Sequence, residues 1–182
     1  MEAYFDNKNN VLNAHIRTSY DDSVLYTVKS TSGFRGPRIT ILEDANPVLG
    51  QGSNRIVGAI HWKEKVFEVN GHRKPLAEIK RREGRIMHTT RYWRWGKERK
   101  EYEIRFDDDE WKATTDHGMS ISARFEVSLR PHLFGKSKPP KFHLTTDTLE
   151  ADEVFMILAF IYCEVKRQNR TNSGPTEGIS AW

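Results

Sequence analysis

Residues able to do chemistry are plentiful in this chain, yet few stand at the spacings chemistry needs. Its seven histidines are His15, His61, His72, His88, His117, His132 and His143. None forms a His-x-x-x-His or Glu-x-x-His pair, the spacing that sets two ligands or a ligand and a base on one helical face. A cross-strand meeting of His61 and His88 near Glu64 is a conjecture; surface or satisfied core positions suit the others. Cys163 is the single cysteine, placed in an apolar stretch where a thiol is normally inert. No Gly-x-Ser-x-Gly elbow is present. Gly33-Phe34-Arg35-Gly36-Pro37 and Gly50-Gln51-Gly52 are spaced for turns rather than for a phosphate cradle ahead of a helix. Asp107-Asp108-Asp109-Glu110 lacks the liganding alternation of a calcium loop. The expectation is no catalytic residue, no metal and no cofactor, which leans away from an enzyme.

The cations are more informative. Residues 54–100 hold 14 Lys and Arg against five Glu, a local +9 in a chain whose total is +4. Eight of them are candidates for anion binding: Arg81, Arg82, Arg85, Arg91, Arg94, Lys97, Arg99 and Lys100. Arg81 to Arg85 closes one hairpin and Lys97 to Lys100 the next. Successive turns of a meander lie at opposite ends, so these are two clusters rather than one patch. Asp107 to Glu110 returns to the end holding Arg81 and Arg85 and offsets their field, which leaves Lys97, Arg99 and Lys100 as the cleaner anion site. The alternative is that all are solvated turn and edge charges that discourage aggregation. Arg91-Tyr92-Trp93-Arg94-Trp95 interleaves cations with rings, a pattern suited to stacking on bases. As a strand it puts Trp93 and Trp95 inward together with Arg91. Without an accompanying RNA-binding signature or zinc finger, nucleic acid is a poor fit.

The elements that must position these groups are mostly strands. From residue 11 to 146 the apolar period is two, as in Leu12, Ala14, Ile16 and in Ile121, Ala123, Phe125, Val127, Leu129. Turn residues separate the runs, with Asn70-Gly71 the strongest hairpin signal. Leu76 to Lys80 reads as one more strand, and the total comes to about eleven. The pattern breaks at Thr145-Thr146-Asp147-Thr148, an N-cap-rich segment followed by Glu150, Asp152 and Glu153, with Lys166, Arg167 and Arg170 further on. Between them Val154 to Cys163 is ten apolar residues, half of the roughly 20 a membrane span needs. The run alone fits a buried strand or a helix; its capped and dipole-matched flanks select a helix, over about 149–168. Three turns apolar on every side must be surrounded. The predicted fold is therefore mainly β, with about 11–12 antiparallel strands in a closed or nearly closed barrel around one C-terminal helix. A helix between two sheets or in a dimer interface is the fallback. Residues 1–170 form one domain in this reading, and 171–182 a disordered tail.

Leu25-Tyr26-Thr27-Val28, Val57-Gly58-Ala59-Ile60-His61-Trp62, Ile121-Ser122-Ala123-Arg124-Phe125 and Phe155 to Arg167, taken in order, resemble a family of basidiomycete fungal proteins of unknown function. Its members look like the tubby C-terminal and LURP-one-like superfamily, a roughly twelve-stranded barrel around a hydrophobic helix. The superfamily contains phosphoinositide binders and phospholipid scramblases, so the resemblance implies a module for anionic lipid headgroups or a protein partner. A lone cysteine and the lack of a basic-then-apolar leader at Met1 to Lys8 point to a reducing compartment, the cytosol, with peripheral membrane contact as an option. The competing functions are a small-molecule enzyme with its site at the barrel mouth and a nucleic-acid binder.

Overall fold

The computed structural model describes residues 1–33, 36–47, 55–84, 90–115, 118–127 and 138–172. In chain order the elements are β1 (Glu2–Phe5), β2 (Ala14–Thr18), β3 (Val24–Gly33), β4 (Gly36–Asp44), β5 (Ile56–His61), β6 (Val66–Val69), β7 (His72–Pro75), α1 (Leu76–Ile79), β8 (Lys80–Glu83), β9 (Thr90–Trp93), β10 (Tyr102–Asp107), β11 (Glu110–Thr115), β12 (Ser120–Glu126), β13 (Lys141–Leu144) and α2 (Thr146–Asn172). Among the described residues these thirteen strands make one antiparallel sheet. It consists of two meanders, β1 to β7 and β8 to β13, joined where β1 pairs with β13. The sequence pattern misses β1, a four-residue strand outside any long alternation, although Ala3 sits opposite both Thr18 and Phe142 and so links the two halves.

The edge strands β7 and β8 are neighbours in the chain, separated only by α1. They are not paired with each other, so the ladder does not close into the expected barrel. The reason lies in their composition. One edge carries His72, Arg73 and Lys74, the other Lys80, Arg81 and Arg82. Like charges across a ladder are unfavourable, and Pro75 has no N–H to offer. Leu76 to Ile79, read from sequence as a strand, instead forms the short helix α1. Its ends are pinned by the Leu76 N–H donating to the Lys65 carbonyl at 2.7 Å and the Arg94 N–H donating to the Ile79 carbonyl at 2.9 Å.

Side chains do what the ladder does not. Phe67 on β6 and Trp93 on β9, strands near opposite ends of the sheet order, have ring centroids 6.0 Å apart. Tyr162 of α2 meets both edge-on, at 5.6 and 5.7 Å, and stacks on Trp62 at 5.4 Å. Lys74 Nζ donates to the Trp95 carbonyl at 2.6 Å and lies over its ring. The two edges thus face one another across a seam.

The apolar run is helical, as its flanks require, and Phe155 to Cys163 is buried at every position. Opposite the seam Phe160 packs on Phe125 and Phe142, each at 5.8 Å, with Phe5 behind them. Gly58 lets β5 lie close to the helix: a Cβ there would sit 2.8 Å from Val154 Cγ1 and 2.9 Å from Leu158 Cδ1. Glu164, buried, accepts from Trp111 Nε1 at 2.9 Å and from Arg167 Nε and Nη2 at 2.8 and 2.7 Å, which ties the helix to β11.

Three details differ from the sequence expectation. α2 begins at Thr146 and runs through Thr171 and Asn172, the first two residues assigned to the tail; residues 173–182 lie outside those described. The helix breaks at Asp152 (φ −136°, ψ 22°), where Tyr102 donates its hydroxyl to Asp152 Oδ2 at 2.8 Å and Arg99 Nη1 takes the Ala151 carbonyl at 2.8 Å. In β12 a register shift opposite Ala113 and Thr114 inserts one residue. Ile121 is thereby turned outward, Ser122 is buried, and its carbonyl receives the Thr145 N–H at 3.0 Å.

Candidate anion-binding site

The eight cations singled out from sequence separate by face. On β8 and β9, Arg81 opposes Tyr92, Arg82 opposes Arg91 and Lys80 opposes Trp93. Alternation then puts Arg81 outside. Its guanidinium donates twice to Glu101, at 2.9 and 2.7 Å, and once to Glu83 at 2.9 Å, and it stacks over Tyr92. These carboxylates hold Arg81 above its ordinary pKa and leave it little charge to offer a ligand. Arg94 and Lys97 are exposed. Arg99 is engaged with the Ala151 carbonyl, and Lys100 Nζ lies 3.0 Å from Asp147 Oδ2. Arg85 lies outside the described residues, as do His88, His117, His132 and the Gly50-Gln51-Gly52 turn.

On the inner face, Lys80 and Arg82 turn toward the seam, where a cavity of about 480 Å³ opens. Pro75, Leu76 and Ala77 of the α1 strap give it an apolar wall, and Tyr162 an aromatic one. Lys65, from the turn between β5 and β6, and Lys166, from α2, complete a ring of four cations with Lys80 and Arg82. Glu64 is the one carboxylate among the described lining residues.

The cations sense each other. Burial pushes Lys80 down to about 8, with Arg82, Arg91 and Lys166 adding repulsion. Burial lowers Lys166 too, helped by Lys65, and it lowers half-buried Arg91 with help from Arg82 and Arg170. Cys163, fully enclosed, has its thiol pushed up to about 12 by desolvation, so it is neutral at physiological pH. Lys80 Nζ lies over the faces of Trp93 and Tyr162, 5.3 and 5.5 Å from their centroids. The Trp93 indole N–H is buried with no acceptor among the described residues.

Sequence reasoning pooled Arg81 with Arg82 as one turn cluster, and Lys65, Lys80 and Lys166 escaped it. The signal is period-two alternation carried through a basic strand: Lys80 and Arg82 share a face with Arg91 and Trp93, which lie opposite them on β9.

A second cavity of about 390 Å³ surrounds the break in α2 and is bordered by Arg99 and His72 but also by Glu150, Asp152 and Glu153. Burial raises the pKa of both Asp152 and Glu153. Those carboxylates make it a poor host for an anion, and they occupy the end where Lys97, Arg99 and Lys100 were expected to act. The conjectured His61 grouping also changes partners. His61 Nε2 is 3.2 Å from Glu68 Oε2, which Arg73 also holds, while Glu64 lies at the seam. Among the described residues no cluster of three or more His, Cys, Asp or Glu is arranged to hold a metal ion. No described helix is long and apolar enough to cross a membrane.

Fold and site together define a mainly β domain, one sheet curled about a buried helix, with a cationic cavity where the sheet's edges meet. The chain belongs to the family of unknown function DUF6593, whose profile matches residues 9–169. No curated protein and no solved structure matches it.

Proposed function

We propose that this chain is a non-catalytic, cytoplasmic binding module that takes the phosphate of an anionic phospholipid headgroup into the seam cavity. The observation that carries this reading is the convergence of Lys65, Lys80, Arg82 and Lys166 on one cavity against a single described carboxylate. Lys80 and Lys166 are held partly out of water beside the exposed Lys65 and Arg82, and a bound polyanion offsets that repulsion. The cavity's volume falls in the range that holds small ligands. Each such cation near an anionic membrane surface contributes about 1 kcal/mol. Kinship with the tubby and LURP-one-like barrels, which the sequence resemblance implies, is in keeping with a strand-wrapped helix and has the weight of analogy.

Flotation with phosphatidylcholine vesicles, with and without phosphatidylinositol bisphosphate, tests the reading. The protein should rise only with the charged vesicles, and less as salt increases. Combining Arg82→Glu with Lys166→Glu should cut the bound fraction by about tenfold or more, while Lys97→Glu changes it by about twofold at most. Absence of binding at low salt, or an equal loss from Lys97→Glu, would overturn it. An acidic protein partner is the reading that gains if vesicles fail and those two reversals instead abolish a salt-sensitive protein complex.

A further inference from the structure

Resting on the anion reading above, we propose that Lys80 is a nucleophilic amine that captures phosphate-bearing aldehydes as an imine inside the seam cavity. Three features place it there. It opens β8 opposite Trp93, with its ammonium between two ring faces rather than in bulk water. It lines a cavity that admits a small molecule, and the strap of Pro75, Leu76 and Ala77 encloses one side. Among the described residues its charged and titratable neighbours include Arg82 on its own strand, Arg91 across the ladder, and Cys163 and Lys166 on α2, with Lys65 and Glu64 from the β5–β6 turn lining the same cavity. Desolvation beside other cations is the arrangement that turns a lysine from a mere charge into a nucleophile. With Lys80 lowered to about 8, about a tenth of it is a free amine at pH 7, against fewer than about one in a thousand for an ordinary lysine.

The division of labour is direct. Arg82, Lys65 and Lys166 hold the phosphate, which brings the carbonyl carbon of the same ligand to Nζ. The amine lone pair attacks that carbon, a C–N bond forms, and the carbonyl electron pair moves to oxygen. A proton passes from nitrogen to that oxygen, giving a carbinolamine. Loss of water then leaves C=N, with no oxidant or reductant consumed.

Pyridoxal phosphate, reduced onto the protein with borohydride and located by peptide mass mapping, is the test; pyridoxal is the phosphate-free control. At substoichiometric reagent Lys80 should be labelled about tenfold or more faster than any other lysine, and faster as pH rises through about 8. Pyridoxal should react with it about tenfold more slowly, and Lys80→Arg should abolish the fast adduct. Label spread evenly over surface lysines, or a fast adduct surviving Lys80→Arg, would overturn the proposal. Calorimetry with inositol hexakisphosphate separates it from the reading beneath it. Binding of that anion with Lys80 unlabelled overturns the amine alone. Equal labelling of Lys80 by both aldehydes, with the anion unbound, overturns the phosphate site and keeps the amine.

Discussion

One helix is enclosed in two different ways. Along the wall where β1, β12 and β13 meet, the backbone ladder is continuous, with Phe142 opposite both Ala3 and Phe125. Apart from Ser122 at the bulge, the described side chains it buries there are apolar, and Phe5, Phe125, Phe142 and Phe160 form one ring cluster. Across the seam between the edges β7 and β8 the ladder is missing. Phe67, Trp93, Trp62 and Tyr162 bridge the gap, and Lys80 lies over the faces of Trp93 and Tyr162. The ladder satisfies every group it pairs and leaves no room for charge. The seam trades that completeness for space, and the basic edges that prevent closure become the lining of a cavity. Apolar packing is therefore concentrated on one side of the helix, and the cationic cavity lies on the other.

Substitutions on the two sides should have opposite signs. Phe160→Ala on the wall removes a fully buried ring from between Phe125 and Phe142, and should cost about 3–5 kcal/mol in denaturant unfolding. A loss under about 1 kcal/mol would mean the wall is loosely packed. At the seam, Lys80→Met keeps the stem and removes the ammonium, and should stabilise the protein by about 1–3 kcal/mol at pH 7. The gain depends on pH in a defined direction. Folding lowers Lys80 to about 8, so between that value and the unfolded value of about 10.4 the unfolded chain binds the extra proton, and wild-type stability rises with pH. The advantage of Met should therefore be full below pH 8 and fade above it. A constant offset across that window would show that Lys80 carries no buried charge.

How much of this the sequence discloses follows from what a local pattern encodes. α2 was legible because ten consecutive apolar residues with Thr and acid before them and Lys and Arg after them have few other solutions. Strand alternation was legible too, since it records which face is wet. It does not record which strand lies beside which, so neither the open ladder nor the role of β1 was readable. The bulge that buries Ser122 and exposes Ile121 was hidden for the same reason: it is set by a partner strand. The seam cavity was half legible. Lys80 and Arg82 stand two apart, but Lys65 and Lys166 come from a turn and from a helix end, and only the fold brings them together.

Arg81, between Lys80 and Arg82, is the smallest and sharpest probe of the two faces. It is half-exposed, with its guanidinium spread between Glu101 and Glu83 outside the sheet. Exposed pairs of this kind contribute little, so Arg81→Gln should leave the denaturant unfolding curve close to that of the wild type. It should also leave the fast labelling of Lys80 and the uptake onto charged vesicles as they are, because its charge is already answered by carboxylates and it does not line the cavity. If Arg81→Gln weakens vesicle binding as strongly as Arg82→Glu does, alternation no longer separates the two arginines. Recognition would then belong to the outer basic surface of β8 rather than to the seam.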